Sequence, residues 1–218
     1  MRITHLGHAC LLVESGDARL LIDPGSWSPG AQEQRDLDAV LVTHQHADHL
    51  DADRLPGLLA ANPRAQLLTD PDTADLLGDK GIEATPLTGG AQHQVGATTV
   101  TGVGQVHALI HEEIPRIHNT GMLVTAEGEP TFFHPGDALD AEPGHVDVLA
   151  FPLNAPWQPS RDMTAFLRRL AAPHAIPVHD GLLNDNGRQL YLSQAGNLGS
   201  KETQIHDLAD GSRREFRA

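Results

Sequence analysis

Apolar residues in this chain fall into short, separated runs rather than long helical stripes. Residues 1–4, 10–14 and 19–22 read as a β-meander, with Ser15-Gly16-Asp17 as the hairpin turn and Asp23-Pro24-Gly25 as the stop after the third strand. After a Gly/Pro/Ser loop over 25–30, residues 38–43 (DAVLVT) are almost continuously apolar, as in a strand covered on both faces. Residues 51–61 show helical spacing at Leu55, Leu58 and Leu59 and close at Asn62-Pro63. Residues 65–69 then read as a strand, and 70–77 as a helix with Asp70 as N-cap and Pro71 in its first turn. The second half repeats the habit in different sequence, with strands predicted over 96–102, 121–126, 130–133, 146–151 and 175–178. Between the last two, residues 161–171 place Met163, Phe166, Leu167 and Leu170 on one helical face, with Ser160 as the expected cap. Strands with interspersed helices predict an α/β (α+β) fold built on two covered sheets. No linker, repeat or low-complexity tract divides the 218 residues, so one domain over 1–218 is expected.

Charge narrows the function classes. Acids outnumber bases 29 to 15, a net charge of −14, which opposes a surface built to grip phosphate backbones. Nucleic acid is therefore not an expected partner, and no apolar run approaches the roughly 18 residues of a membrane span. The opening MRITHLGHAC has no basic-then-apolar leader, and a single cysteine, Cys10, excludes an intramolecular disulfide framework. A cytoplasmic protein acting on a small molecule is expected, with self-association into a homo-oligomer left open. The anomaly is histidine: 14 residues, against 15 for Lys and Arg together.

The densest chemistry is Thr43-His44-Gln45-His46-Ala47-Asp48-His49, directly after the apolar run DAVLVT. Its imidazoles and carboxylate are ligands for a borderline divalent metal, and their spacing fits two ions better than one. Two coordination shells need further residues at later strand ends. The chain supplies His107, then Asp137 in His134-Pro135-Gly136-Asp137, then His179.

His44-x-His46-x-Asp48-His49 with a distant His107, a Gly136-Asp137 pair and a terminal His179 resembles the metallo-β-lactamase fold superfamily, and Asp23 matches its early structural aspartate. Thr4-His5-Leu6-Gly7-His8-Ala9 and Leu21-Ile22-Asp23-Pro24 look most like the branch containing ascorbate-6-phosphate lactonase-like proteins and uncharacterised metal-dependent hydrolases. The resemblance implies a four-layer αββα sandwich, two mixed β-sheets flanked by helices. It also implies that His44, His46 and His107 hold one metal, that Asp48, His49 and His179 hold a second, and that Asp137 bridges them. Zinc is the first expectation, with Mn2+, Fe2+ or Ni2+ as alternatives. A hydroxide between the ions would cleave an ester, lactone or phosphoester of a small, anionic substrate. Asp48, His8 in its Gly7-His8-Ala9 turn and His134 are the catalytic candidates. His111 and His118, near His107 in sequence, could orient ligands from behind, but a structural or surface place is the first expectation for each; Trp27 and Trp157 are candidate cleft walls. His93, His145, His174 and His206 have no motif context. The competing readings are an iron-dependent, persulfide dioxygenase-like redox enzyme and an RNA-processing phosphodiesterase, the latter opposed by the charge.

Overall fold

In the computed structural model, which describes residues 1–218, the chain forms two seven-stranded sheets. The N-terminal part contributes β1 (Arg2–His5), β2 (Leu11–Ser15), β3 (Ala18–Ile22), β4 (Ala39–Val42), β5 (Gln66–Thr69) and β6 (Thr85–Pro86). The second sheet contains β7 (Gln92–Val95), β8 (Thr98–Val103), β9 (Gly121–Ala126), β10 (Phe132–His134), β11 (Val148–Pro152), β12 (His174–Val178) and β13 (Gln204–Ile205). A last strand, β14 (Arg213–Glu215), returns to the first sheet, which runs β14-β1-β2-β3-β4-β5-β6, while the second runs β13-β12-β11-β10-β9-β8-β7. Each sheet follows the same plan. Ladders are antiparallel from β14 through β3 and from β7 through β10, then parallel from β3 through β6 and from β10 through β13.

The period-2 alternation of the parallel strands explains the layers. In β4, Ala39 and Leu41 face the second sheet while Val40 and Val42 face outward; in β11, Val148 and Ala150 face inward while Leu149 and Phe151 face outward. The central layer joins Ile3, Leu20, Ile22 and Leu41 to Val124, Phe132, Val148 and Ile176. Helices α1 (Leu55–Ala61) and α2 (Pro71–Gly78) cover the first sheet through Leu55, Leu58 and Leu77. Helices α3 (Ser160–Leu170) and α4 (Asp185–Leu198) cover the second through Met163, Phe166, Leu167 and Ala195. The result is the expected αββα sandwich of two mixed sheets and four flanking helices. No helix is long and apolar enough to cross a membrane.

Two boundaries differ from the sequence reading. Helix α1 begins at Leu55 rather than at residue 51, because Pro56 is tolerated only in a first turn, where its missing N–H costs nothing. Helix α3 is capped by Pro159, in extended conformation and without a side-chain bond, so Ser160 is its first helical residue rather than its cap. Asp70 caps α2 as expected, accepting from Asp72 N–H and Thr73 N–H.

The topology puts the C-terminal ends of the parallel strands of both sheets on one rim, where this class of sheet carries its functional loops. Asp23 follows β3, His44 follows β4, Asp137 follows β10 and His179 follows β12. The central layer holds that rim together. Phe132→Ala, at a fully buried position, is expected to cost about 3–5 kcal/mol. Urea denaturation checks this, with the midpoint falling and the slope unchanged.

Candidate metal centre

Asp23 lies at the base of the rim, without solvent exposure and at φ +50°, in the left-handed region. Its Oδ1 accepts Thr43 N–H at 2.8 Å, and its Oδ2 accepts the Thr43 hydroxyl at 2.8 Å and His49 Nδ1–H at 2.7 Å. With its hydrogen committed to Asp23, Thr43 Oγ1 accepts Nδ1–H from His44 at 3.1 Å. Both imidazoles are thereby fixed with Nδ1 protonated and Nε2, the nitrogen open to a metal or a proton, turned away from the core. His107 and His179 reach the same state through backbone carbonyls, donating Nδ1–H to Ala108 O at 2.7 Å and to Asn154 O at 2.7 Å.

The released Nε2 atoms converge. Buried Nε2 of His49, His107 and His179 and Oδ1 of Asp137 have no hydrogen-bond partner. Asp137 Oδ1 lies 3.3 Å from His49 Nε2, while its Oδ2 lies 3.3 Å from Nε2 of both His107 and His179. His44 Nε2 and His46 Nδ1 are 3.1 Å apart. Ligand atoms about 2.0–2.1 Å from a tetrahedral ion stand about 3.3–3.4 Å from each other, so these orphaned donors match the edges of metal coordination shells. The donors group as His44, His46 and His107; as His44, His49 and Asp137; and as Asp48, His49 and His179 with His8 beside them. All seven residues expected as ligands are therefore brought together, and none supplies a thiolate.

His8 is not equivalent to the others. Its Nδ1 accepts Gly181 N–H at 3.0 Å, so its Nε2 carries the hydrogen and donates to Asp48 Oδ2 at 3.1 Å. With no lone pair turned to the cluster, His8 positions Asp48. The fit is tight, because a Cβ on Gly181 would come 2.9 Å from His8 Nδ1. His134 departs from its expected catalytic place. Buried below the ligands, it accepts Gly136 N–H at Nδ1 and donates Nε2–H to Ala9 O, tying β10 to the β1–β2 turn. His111 and His118 take the surface places expected of them: His111 is exposed, and His118 pairs with Asp72. Two residues not singled out for this task hold Asp137. Asn119 Oδ1 accepts its N–H at 2.9 Å, and Trp157 Nε1–H donates to its Oδ2 at 3.1 Å. Thr43 adjoins the histidine motif and was open to discovery there; nothing local marks Asn119.

A domain family described as "Beta-lactamase superfamily domain" matches residues 2–179. The chain belongs to that superfamily, among its metal-dependent hydrolases. The superfamily member is 40% identical over 208 residues to the Mycobacterium tuberculosis protein Rv0786c, covering 94% of this chain and 96% of that one. It is 31% identical over 204 residues to a UPF0173 metal-dependent hydrolase of Methylobacterium nodulans, covering 83% and 85%. Its fold matches the metallo-β-lactamase fold protein YhfI of Bacillus subtilis at a TM-score of 0.73 and 18% identity, over 99% of this chain and 98% of that one.

Electrostatics in this hydrolase follow from burial and from the two carboxylates. Burial holds His44 well below the ordinary histidine range. His49 and His179 are buried too, yet Asp137 lifts both, His179 to about 9. Against the same penalty, His179 and His49 hold Asp137 low, and His179, 3.4 Å away, together with the hydrogen bond from His8 holds Asp48 low. Below about pH 9 a metal must therefore displace a proton from His179, with the raised His49 acting in the same direction, and its apparent affinity climbs as pH rises toward that value. Calorimetric titration at pH 7 in buffers of differing ionisation enthalpy is expected to show proton release, declining above that pH. Asp23→Asn removes one acceptor and presents N–H to His49 Nδ1, favouring the tautomer whose Nε2 cannot bind metal. Metal affinity, read by competition with a chromogenic chelator, is expected to fall about 10–100-fold.

Proposed function

We propose that the seven-residue cluster holds two divalent ions, zinc first, and that the protein hydrolyses an ester, lactone or phosphoester bond of a small molecule. The observation that carries this reading is the reach of Asp137, whose Oδ1 faces His49 while its Oδ2 faces His107 and His179. One carboxylate thus serves both halves of the cluster, His44, His46 and His107 on one side and Asp48, His49 and His179 on the other. Such ions supply a water made nucleophilic near neutral pH and polarise a carbonyl or phosphoryl oxygen.

The remaining roles belong to the chain. Trp157 and Asn119 fix Asp137 from opposite ends, through its Oδ2 and its backbone N–H. Asp48 is the more open of the two carboxylates, its side chain 20% exposed against 4% for Asp137, so it is the one placed to exchange a proton with a substrate. The bond from His8 helps to keep it ionised. Neither His8 nor His134 acts as general base, because each has one ring nitrogen accepting a backbone N–H and the other already protonated. The cavity over the cluster measures about 150 Å3, the volume of roughly five waters. A nuclease would have to admit a polynucleotide there, against a net charge of −14.

Elemental analysis of protein purified without added metal, combined with a panel of lactone, ester and phosphodiester substrates, tests the reading. Two equivalents of metal are expected, with Asp137→Ala losing about one equivalent and most of the turnover. Full turnover with one ion would remove the dinuclear assignment. At saturating metal the rate is expected to rise with pH through an apparent pKa near 7. His8→Ala should lower the rate and keep that limb; its loss in the variant would return the controlling proton to histidine.

A further inference from the structure

The walls above the cluster differ in chemistry from its floor. Trp27, Ile110, Trp157 and Leu182, on separate loops, line the cavity together with the metal-binding side chains, and none of the lining residues is Lys or Arg. Large apolar side chains are also exposed around this mouth: Trp27, Ile110 and Leu182, and on the loop between β8 and β9 also Val106, Leu109 and Ile114. The only other large apolar residues so exposed are Leu190 and Leu198 on α4, so the concentration at the mouth is specific. Of the nearby cations, Arg188 is paired with Asp180 and Asp207, and Arg116, outside this lining, is turned by Nε and Nη2 onto the His107 carbonyl at 2.9 and 2.6 Å. The mouth loop carries exposed Glu112 and Glu113, and the whole chain is strongly acidic.

We infer that the substrate is an uncharged ester or lactone whose apolar acyl group lies against Trp27, Ile110, Trp157 and Leu182. This rests on the hydrolase reading above and departs from the anionic substrate that the sequence suggests. Positive charge in the centre acts on the reacting atoms at contact distance, whereas substituents are read by the walls, which offer no counter-ion to a carboxylate or phosphate. Burying such a group there would leave it unpaired. Beyond Trp157 a second cavity of about 480 Å3 is mixed in character, with Leu109 and Phe166 beside Arg116, Asp140, Asp162 and Arg169, so the apolar wall is confined to the space over the cluster.

The test uses the full chain, metal-loaded and verified by elemental analysis, with p-nitrophenyl acetate, butanoate and hexanoate and the mono-p-nitrophenyl ester of hexanedioic acid. Along the neutral series kcat/KM is expected to rise about fourfold per methylene, the fold-change equivalent of burying one CH2. The hexanedioate ester, alike but for its terminal carboxylate, is expected to be at least tenfold poorer than hexanoate. Leu182→Arg, at an exposed position, should narrow that gap about tenfold, and Ile110→Ser should raise KM for hexanoate more than it changes kcat. Both tryptophans of the chain, Trp27 and Trp157, line the cavity, so hexanamide binding is expected to change intrinsic fluorescence saturably. Turnover that favours the carboxylate ester, or a flat neutral series, overturns this inference and leaves the hydrolase reading standing. Saturable hexanamide binding without turnover of these esters or of the lactone and phosphodiester panel removes that reading and keeps the apolar site; neither turnover nor binding removes both.

Discussion

A buried carboxylate sets the geometry on which the metal centre depends. The Asp23 carboxylate accepts three hydrogen bonds without solvent exposure, and through them it fixes the backbone at Thr43, the ring of His49 and, by way of the Thr43 hydroxyl, the ring of His44. A buried charge is tolerated only when so satisfied. The same bonds that make Asp23 tolerable are those that turn two Nε2 lone pairs toward one point. Stability of the core and readiness of the site are therefore a single requirement at this residue. Close packing adds to it: a Cβ on Gly25 would sit 1.8 Å from the Asp48 carbonyl, so the turn after Asp23 and the histidine loop can meet only at a glycine.

Tautomer state divides the buried histidines by function. His44, His49, His107 and His179 donate from Nδ1 and turn Nε2 to the cluster, where a metal or a proton can take it, while His8 and His134 accept at Nδ1 and keep Nε2 protonated. Residue type is identical in both groups; the difference is whether the nearest fixed partner of Nδ1 is an oxygen, of a carboxylate, carbonyl or hydroxyl, or a backbone N–H. Backbone strain gathers at the same place. Three of the five non-glycine residues at positive φ are His8, Asp23 and His179, a conformation that persists where surrounding bonds over-determine it. His179 illustrates this, with its N–H on the His8 carbonyl and its ring on Asn154.

Legibility in the sequence tracked how local each determinant is. The parallel strands were readable because both of their faces are buried, which makes DAVLVT and VDVLAF continuously apolar. The histidine loop was readable because four ligands lie within six residues. Helix α4 was missed: Asp185–Leu198 mixes polar and apolar residues without a clear stripe, and only Ala195 is buried. Strand β14 was missed for a related reason, since Arg-Arg-Glu has no apolar face and is held by its ladder to β1 and by buried Phe216. His134 misled because proximity in sequence to Asp137 does not set ring direction; Gly136, at φ +61°, turns the chain between them. Trp157 was read as a wall, and its bond to Asp137 depends on a fold contact across 20 positions.

The fold carries one plan twice, three antiparallel ladders followed by three parallel ones, and the two halves contribute unlike parts to the centre. The first half gives a contiguous block, His44 to His49, stiffened from below by Asp23. The second gives single residues, His107, Asp137 and His179, each held by backbone groups or by a distant side chain. A contiguous block keeps its internal spacing when neighbouring loops vary, whereas single ligands hold their places only if the sheet ends that carry them stay fixed. The long loop between β8 and β9 shows how both needs are met: His107 at its start is pinned by its own ring and by Arg116 on its carbonyl, while Leu109, Ile110 and Ile114 beyond it are exposed. Substrate preference can thus change along that loop without moving a ligand, which separates the chemistry of the centre from the identity of what it cleaves.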